Sequence, residues 1–265
     1  MKKLLIPMLL IVSFAVQSQT DLDAWMATTN DGSRAKEDAK RSLQAFVNPL
    51  LSSRIPEQKL LRKAFQKLHA TYLKKYEAYS DFSDVFSSGK YDCLTATALF
   101  SHVLNQLGLS YEIIETNYHI FLMVHTKEGN VLLEMTDRWG GFVKNEDAIA
   151  KRTGDYRRNF LSATSSDKIP FEYSFKLYQP ISPEKLTGLL YFNQAVKAFN
   201  RHDWVASSIS LEVSNNLYSS PRCNELGSVI IRTVMESSLE EQSKALCMSH
   251  LRNVLVKKSP IVAAN

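Results

Sequence analysis

The chain has 265 residues, three cysteines, an apolar fraction of 45% and a formal net charge of +5. The apolar fraction fits a globular protein with a real core. Three cysteines are too few for a disulfide scaffold, and the basic balance is mild.

Residues 1–20 read "MKKLLIPMLLIVSFAVQSQT". Lys2 and Lys3 form a positive leader, and Leu4 to Val16 is an apolar run too short for a comfortable membrane span. Val16-Gln17-Ser18 puts small residues three and one positions before a cleavage point. This three-part pattern predicts a signal peptide over 1–18, a mature chain beginning at Gln19, and a secreted or periplasmic location. No cysteine follows the run, so a lipoprotein anchor has no attachment point. No later stretch holds 18 consecutive apolar residues, so no stable membrane insertion is expected after cleavage.

Helical periodicity begins at Arg34 and runs to about Phe46, with Pro49 as its expected stop. A second helix is expected after "SSRIPEQKLL", with Ser53 as a candidate cap and Pro56 in the first turn. Leu60, Leu61, Ala64, Phe65, Leu68, Tyr72 and Tyr76 recur at spacings of three and four, which carries that helix to about Tyr76. Lys59, Arg62, Lys63, Lys67, Lys74 and Lys75 cluster on it. A solvated helix face is their simplest reading, and no nucleic-acid partner is expected.

A Ser-, Asp- and aromatic-rich loop, "AYSDFSDVFSSGKYD", leads to "CLTATALFSHVLNQLG". Asp92 is a good N-cap and Gly108 a good helix stop. Ala96, Leu99, Phe100, Val103, Leu104 and Leu107 form the expected buried stripe, with Cys93 at its N-terminal end. The period then changes from 3.6 to 2. "YEIIET", "YHIFLMVHT" and "VLLEMT" are expected strands, with a hairpin turn at "KEGN". "RWGGF" ends this meander, "NEDAIAKR" reads as a short helix and "PFEYSFKLY" as a further strand. From Pro183 the pattern is purely helical, in two pairs of helices. The expected class is α+β, with domains at 19–180 and 181–265.

Cys93 stands at a helix start, where free N–H groups and the helix dipole favour a thiolate and can donate to an oxyanion. Asp92 opposes this by its like charge. A base must come from another element at the same end, and His119 opens a strand. His125 shares its face but sits at the hairpin tip. The orienting acid belongs on the return strand. A three-residue turn over Lys127-Glu128-Gly129 would pair Thr126 with Asn130 and set Asp137 opposite His119. A bulge or a tighter turn brings Glu134 there instead. Tyr91 and Asn117 are candidate side-chain donors to an oxyanion. Cys223 and Cys247 are either a disulfide or two buried thiols. No metal cluster, phosphate loop or dinucleotide fingerprint occurs, so no cofactor is expected.

The order of a Cys at a helix start, a His at a strand start and an acid on the next strand resembles the transglutaminase-like superfamily of papain-like cysteine enzymes. In "VLLEMTD", Glu134 stands where that family has the Asp of an Asp-Pro-Thr motif, with Met135 for the Pro and Thr136 for the Thr. The resemblance therefore favours Glu134 over Asp137. Phe121 stands where the family usually has Trp. "YFNQAVKAFNRHDW" resembles the first helix and turn of a tetratricopeptide repeat, and "DRWGGF" resembles a run found where such a tail follows a transglutaminase-like core. The resemblance covers about residues 55–140 and 183–255.

It implies a papain/transglutaminase-like core followed by a helical-repeat tail. It further implies a cysteine peptidase or amidohydrolase using Cys93, His119 and Glu134 on a protein or peptide substrate. The alternatives are a catalytically silent relative that binds partners through its tail, or a plain core thiol at Cys93. Any partner is expected near Tyr191, Phe192 and Trp204, although filling of the inter-helix core is the simpler reading of these aromatics.

Overall fold

The computed structural model describes residues 21–29, 32–158 and 177–256. The expected signal peptide at 1–18, and the strand reading over 170–176, lie outside them. Among the described residues no helix is long and apolar enough to cross a membrane. The chain forms two compact units, with the division among the described residues between Glu184 and Lys185. The first unit mixes helix and antiparallel sheet, an α+β arrangement. The second is helical.

In the first unit, residues 21–26 form α1, and α2 spans Gly32–Leu51. Pro49 does not stop α2 but lies inside its last turn. The missing N–H costs little so near a helix end, and fully buried Leu50 draws the turn onto the core. Helix α3 spans Glu57–Thr71, with Pro56 rather than Ser53 at its N-cap position and no side-chain cap bond there, and with Tyr72 as its C-cap it stops short of Tyr76. Past Tyr72 the chain turns extended. Lys74 N–H and Lys75 N–H both donate to the Gly89 carbonyl, and β1 (Lys75–Tyr76) pairs in parallel with β2 (Lys90–Tyr91). Lys74 and Lys75 are therefore off the helix that was expected to carry them. Of the rest of that basic cluster, Arg62 lies over the Phe142 ring and Lys67 donates to the Phe46 carbonyl at 2.9 Å. The loop between β1 and β2 holds a single helical turn, α4 (Asp84–Ser87).

Helix α5 spans Cys93–Leu107. Asp92 accepts from Thr95 N–H, the Thr95 hydroxyl accepts from Asp92 N–H, and Gly108 closes the far end with a left-handed φ of 67°. Both ends of the helix are thereby fixed by local chemistry. The expected one-sided stripe is too narrow, because every residue from Leu94 to Val103, and Leu104 after them, is buried. Thr95, Thr97, Ser101 and His102 go inside with the apolar residues. A helix buried all round is a central element rather than a surface one.

Five antiparallel strands form the main sheet: β3 (Ser110–Thr116), β4 (Ile120–Thr126), β5 (Gly129–Leu133), β6 (Phe142–Val143) and β7 (Tyr178–Ile181). Their order is β6-β5-β4-β3-β7. Tyr111 lies against Ser101 and Asn105 of α5, so α5 covers the face that carries Tyr111, Ile113 and Leu122. On the opposite face Ile114, Phe121 and Leu132 make a cluster with Ile149 and Tyr156 of α6 (Glu146–Arg157). The sheet thus runs between α5 and α6. Strand β7 pairs through Ile181 with Ile113 of β3, so the expected domain boundary at 180 cuts a strand that belongs to the first unit.

The second unit is built from α7 (Pro183–Asn200), α8 (Trp204–Leu217), α9 (Pro221–Glu236) and α10 (Glu241–Val256). Its core holds Phe192, Leu211, Ile230, Val234, Leu251 and Val254, with Trp204 packed against them. Phe192 and Trp204 therefore fill the inter-helix core, the alternative to a partner surface, as large apolar side chains generally do. Cys223 and Cys247 are separate, buried free thiols in this core. His202 occupies the turn after α7 with φ 61°.

His69 of α3 is buried, and its Nε2 has no hydrogen-bond partner among the described residues. Burial pulls its pKa from 6.5 to about 4; the charge of Arg138 adds to this, and that of Asp137 opposes it. Because the folded pKa is depressed, the unfolded chain takes up this proton first as pH falls. His69 therefore favours the fold above about pH 6.5, and that advantage is lost between about 6.5 and 4. Urea unfolding across this range should show a steeper acid loss in the wild type than in His69→Gln. Parallel pH dependences would refute the assignment.

Candidate active site

Cys93 is the first residue of α5, partly exposed at the N-terminus of that otherwise buried helix. The Asp92 carboxylate is spent on the Thr95 N–H and hydroxyl. The cap so leaves the Cys93 N–H outside it, at the positive end of the helix dipole.

His119 immediately precedes β4. Its backbone is held by Thr116, whose hydroxyl accepts from His119 N–H at 3.1 Å and donates to the His119 carbonyl at 3.0 Å. The imidazole Nε2 lies 2.5 Å from Glu134 Oε2. The same ring interacts with the Cys93 side chain. With Nε2 engaged by the carboxylate, Nδ1 is the nitrogen left for the thiol. The structure thus brings together Cys93, His119 and Glu134.

The hairpin explains why Glu134 and not Asp137 meets the imidazole. Thr126 pairs with Gly129, so the turn is the two residues Lys127 and Glu128 rather than three, with Gly129 at φ 116°. The hairpin tip is tied to the start of α3: Lys127 N–H donates to Glu57 at 2.9 Å, and Gln58 N–H donates to Glu128 at 3.1 Å. Leu122 then pairs with Leu133. Continued past its last pair, this register sets Thr136 across from His119. Glu134, two residues earlier, is the diagonal neighbour on the same face. Long side chains span such a diagonal, and the additional methylene of Glu over Asp serves that reach.

Asp137 builds the loop instead. It accepts from Trp139 N–H at 3.1 Å and from Gly140 N–H at 2.7 Å, and Arg152 lies 3.8 Å from it. Gly141 closes this loop. Its N–H donates to the Asp137 carbonyl and its carbonyl accepts from Glu134 N–H, each at 2.8 Å. A Cβ on Gly141 would stand 2.1 Å from the Glu134 carbonyl oxygen and 2.3 Å from that of Asp137.

The Glu134 carboxylate is saturated. Oε1 accepts from the Thr136 hydroxyl at 2.8 Å and from Thr136 N–H at 3.3 Å. Oε2 accepts from the Tyr156 hydroxyl at 2.7 Å as well as from His119. Burial alone disfavours the carboxylate. The charge of His119 and the donors from His119, Tyr156 and Thr136 outweigh it and hold Glu134 well below the usual carboxylate range. Burial likewise disfavours the imidazolium. The Glu134 charge, together with the interaction with Cys93 and the bond to Glu134, outweighs it and raises His119 above the usual histidine range. Such a pair supports a protonated imidazole.

Sequence reasoning missed Tyr156 and Thr136 as partners of the acid. Thr136 stands two residues from Glu134, at the Thr position of the family motif, whereas Tyr156 on a short polar helix carries no local signal. Of the candidate oxyanion donors, Tyr91 is buried against the Tyr76 ring. Asn117 accepts from Leu177 N–H at 2.6 Å and so fastens the start of β7. His125 is bound to Asn130 at the hairpin tip, away from the acid.

The chain matches no protein-family model, and no curated protein or solved structure is significantly similar to it.

Gly141→Ala should displace the loop that carries Glu134, because backbone atoms rather than a flexible side chain block the new methyl. A loss of roughly 3 kcal/mol in chemical denaturation is expected, at the upper end of single-substitution effects. A loss below about 0.5 kcal/mol would show that the loop closes without this glycine.

Proposed function

We propose that the protein is an exported cysteine hydrolase of the transglutaminase-like kind, acting on an amide or peptide bond. The observation that carries the reading is the convergence of a helix-start thiol, an imidazole that interacts with it, and a saturated buried carboxylate on the far ring nitrogen. Export rests on the three-part pattern of residues 1–18. The four-helix second unit, in two helical pairs, is consistent with a tetratricopeptide-like tail, and the α+β first unit with a papain-like core.

Cys93 attacks the amide carbonyl as the thiolate, forming the S–C bond. The Cys93 N–H donates to the oxyanion. The imidazolium of His119 gives its Nδ1 proton to the leaving amine as the C–N bond breaks. Water then attacks the thioester; His119 takes its proton, the acid leaves and the thiolate returns. Throughout, Glu134 holds Nε2–H and so fixes which nitrogen faces the thiol.

An alkylating probe at pH 6 to 7 should label Cys93 well before buried Cys223 and Cys247. His119→Ala should slow labelling of Cys93 roughly tenfold or more, the equivalent of one pKa unit. Glu134→Ala should reproduce part of that loss, and Asp137→Ala should act only through stability. Slow labelling of all three thiols, indifferent to His119→Ala, would remove the hydrolase reading and leave a silent relative.

A further inference from the structure

We infer that Tyr156 is a positioning residue for the acid, a clamp that makes a glutamate serve where a shorter aspartate would otherwise be expected. The inference rests on the hydrolase reading, because it acts through Glu134 and His119. Glu has one more rotatable bond than Asp, and each free torsion adds wells in which the carboxylate turns away from the imidazole. Thr136 restrains only Oε1. Apart from His119 itself, Oε2 is met among the described residues only by the Tyr156 hydroxyl.

Packing does not account for that hydroxyl. The Tyr156 ring lies 4.8 Å from the Phe121 ring and 5.6 Å from that of His119, contacts a phenylalanine would make equally well. Among the described residues the hydrogen bond of that oxygen is to Glu134. Burial and the Glu134 charge both push the phenol far up, so it remains a donor at every working pH. The clamp is carried on α6, on the far side of the sheet from α5. The acid is therefore held from one side of the sheet and the nucleophile from the other.

Loss of the hydroxyl frees Oε2 to rotate from Nε2–H. The imidazolium then loses part of its stabilisation, and the thiolate forms only at higher pH. The test is the pH profile of Cys93 alkylation in full-length protein for wild type, Tyr156→Phe and His119→Ala. Tyr156→Phe should raise the acid-side midpoint by about half to one pH unit, a three- to tenfold slower reaction below it, with near-UV circular dichroism unchanged. A midpoint equal to or below that of the wild type, or a lowered plateau with an unmoved midpoint, overturns the inference while leaving the hydrolase reading intact. A His119→Ala profile that coincides with the wild type overturns the hydrolase reading and the clamp with it. If Tyr156→Phe does not fold, 3-fluorotyrosine at position 156 fills the same space with a stronger donor. An unmoved midpoint there overturns the clamp as well.

Discussion

The site depends on keeping one carboxylate ionised where water scarcely reaches it. Taking a carboxylate out of water costs several kcal/mol unless its lone pairs are met. At Glu134 they are met by a hydroxyl and an N–H from its own loop, a phenol from α6 and an imidazole from the start of β4. The donors come from three pieces of the chain, so the hairpin, the loop and α6 must all be seated before the charge is tolerated. The same four donors settle the protonation state. An ionised carboxylate only accepts, and all its neighbours donate.

The thiol is placed by an independent route. Its helix is buried on every side and has both ends fixed, by the Asp92–Thr95 capping box and by the left-handed Gly108. Sliding α5 by a turn would expose its apolar residues and bury the caps, so Cys93 is defined along the axis as well as around it. The hairpin is referenced to α3 by ties that are exposed and individually weak. Their effect is on register: they hold the two-residue turn that decides which acid stands near His119.

The legible parts of the sequence are those written in local chemistry. Asp92 and Gly108 mark α5 without reference to anything distant, and the change of period from 3.6 to 2 marks β3, β4 and β5. The acid was not legible from register, because "KEGN" accommodates a turn of two residues or three, and one residue exchanges the faces of a strand. The motif resemblance named Glu134, whereas strand counting named Asp137. The extent of α3 failed for a related reason. Tyr76 continues the helical spacing, but a carbonyl of Gly89 captures the N–H groups of Lys74 and Lys75, a competition that periodicity cannot register. The width of the α5 stripe failed because Thr95, Thr97, Ser101 and His102 are polar in type yet enclosed by tertiary packing.

Two carboxylates three residues apart therefore divide the work by environment. Asp137, half-exposed, spends its oxygens on backbone N–H groups of the following turn. That turn returns Gly141 to within a hydrogen bond of Glu134, and only a residue without a Cβ fits between the two carbonyls there. Asp137 and the glycine thus set the backbone of Glu134, while Thr136 and Tyr156 set its side chain. The acid nearest the imidazole needs the second acid to be elsewhere. Were Asp137 to turn inward, two like charges would compete for one imidazolium, and the loop would lose the acceptor that closes it.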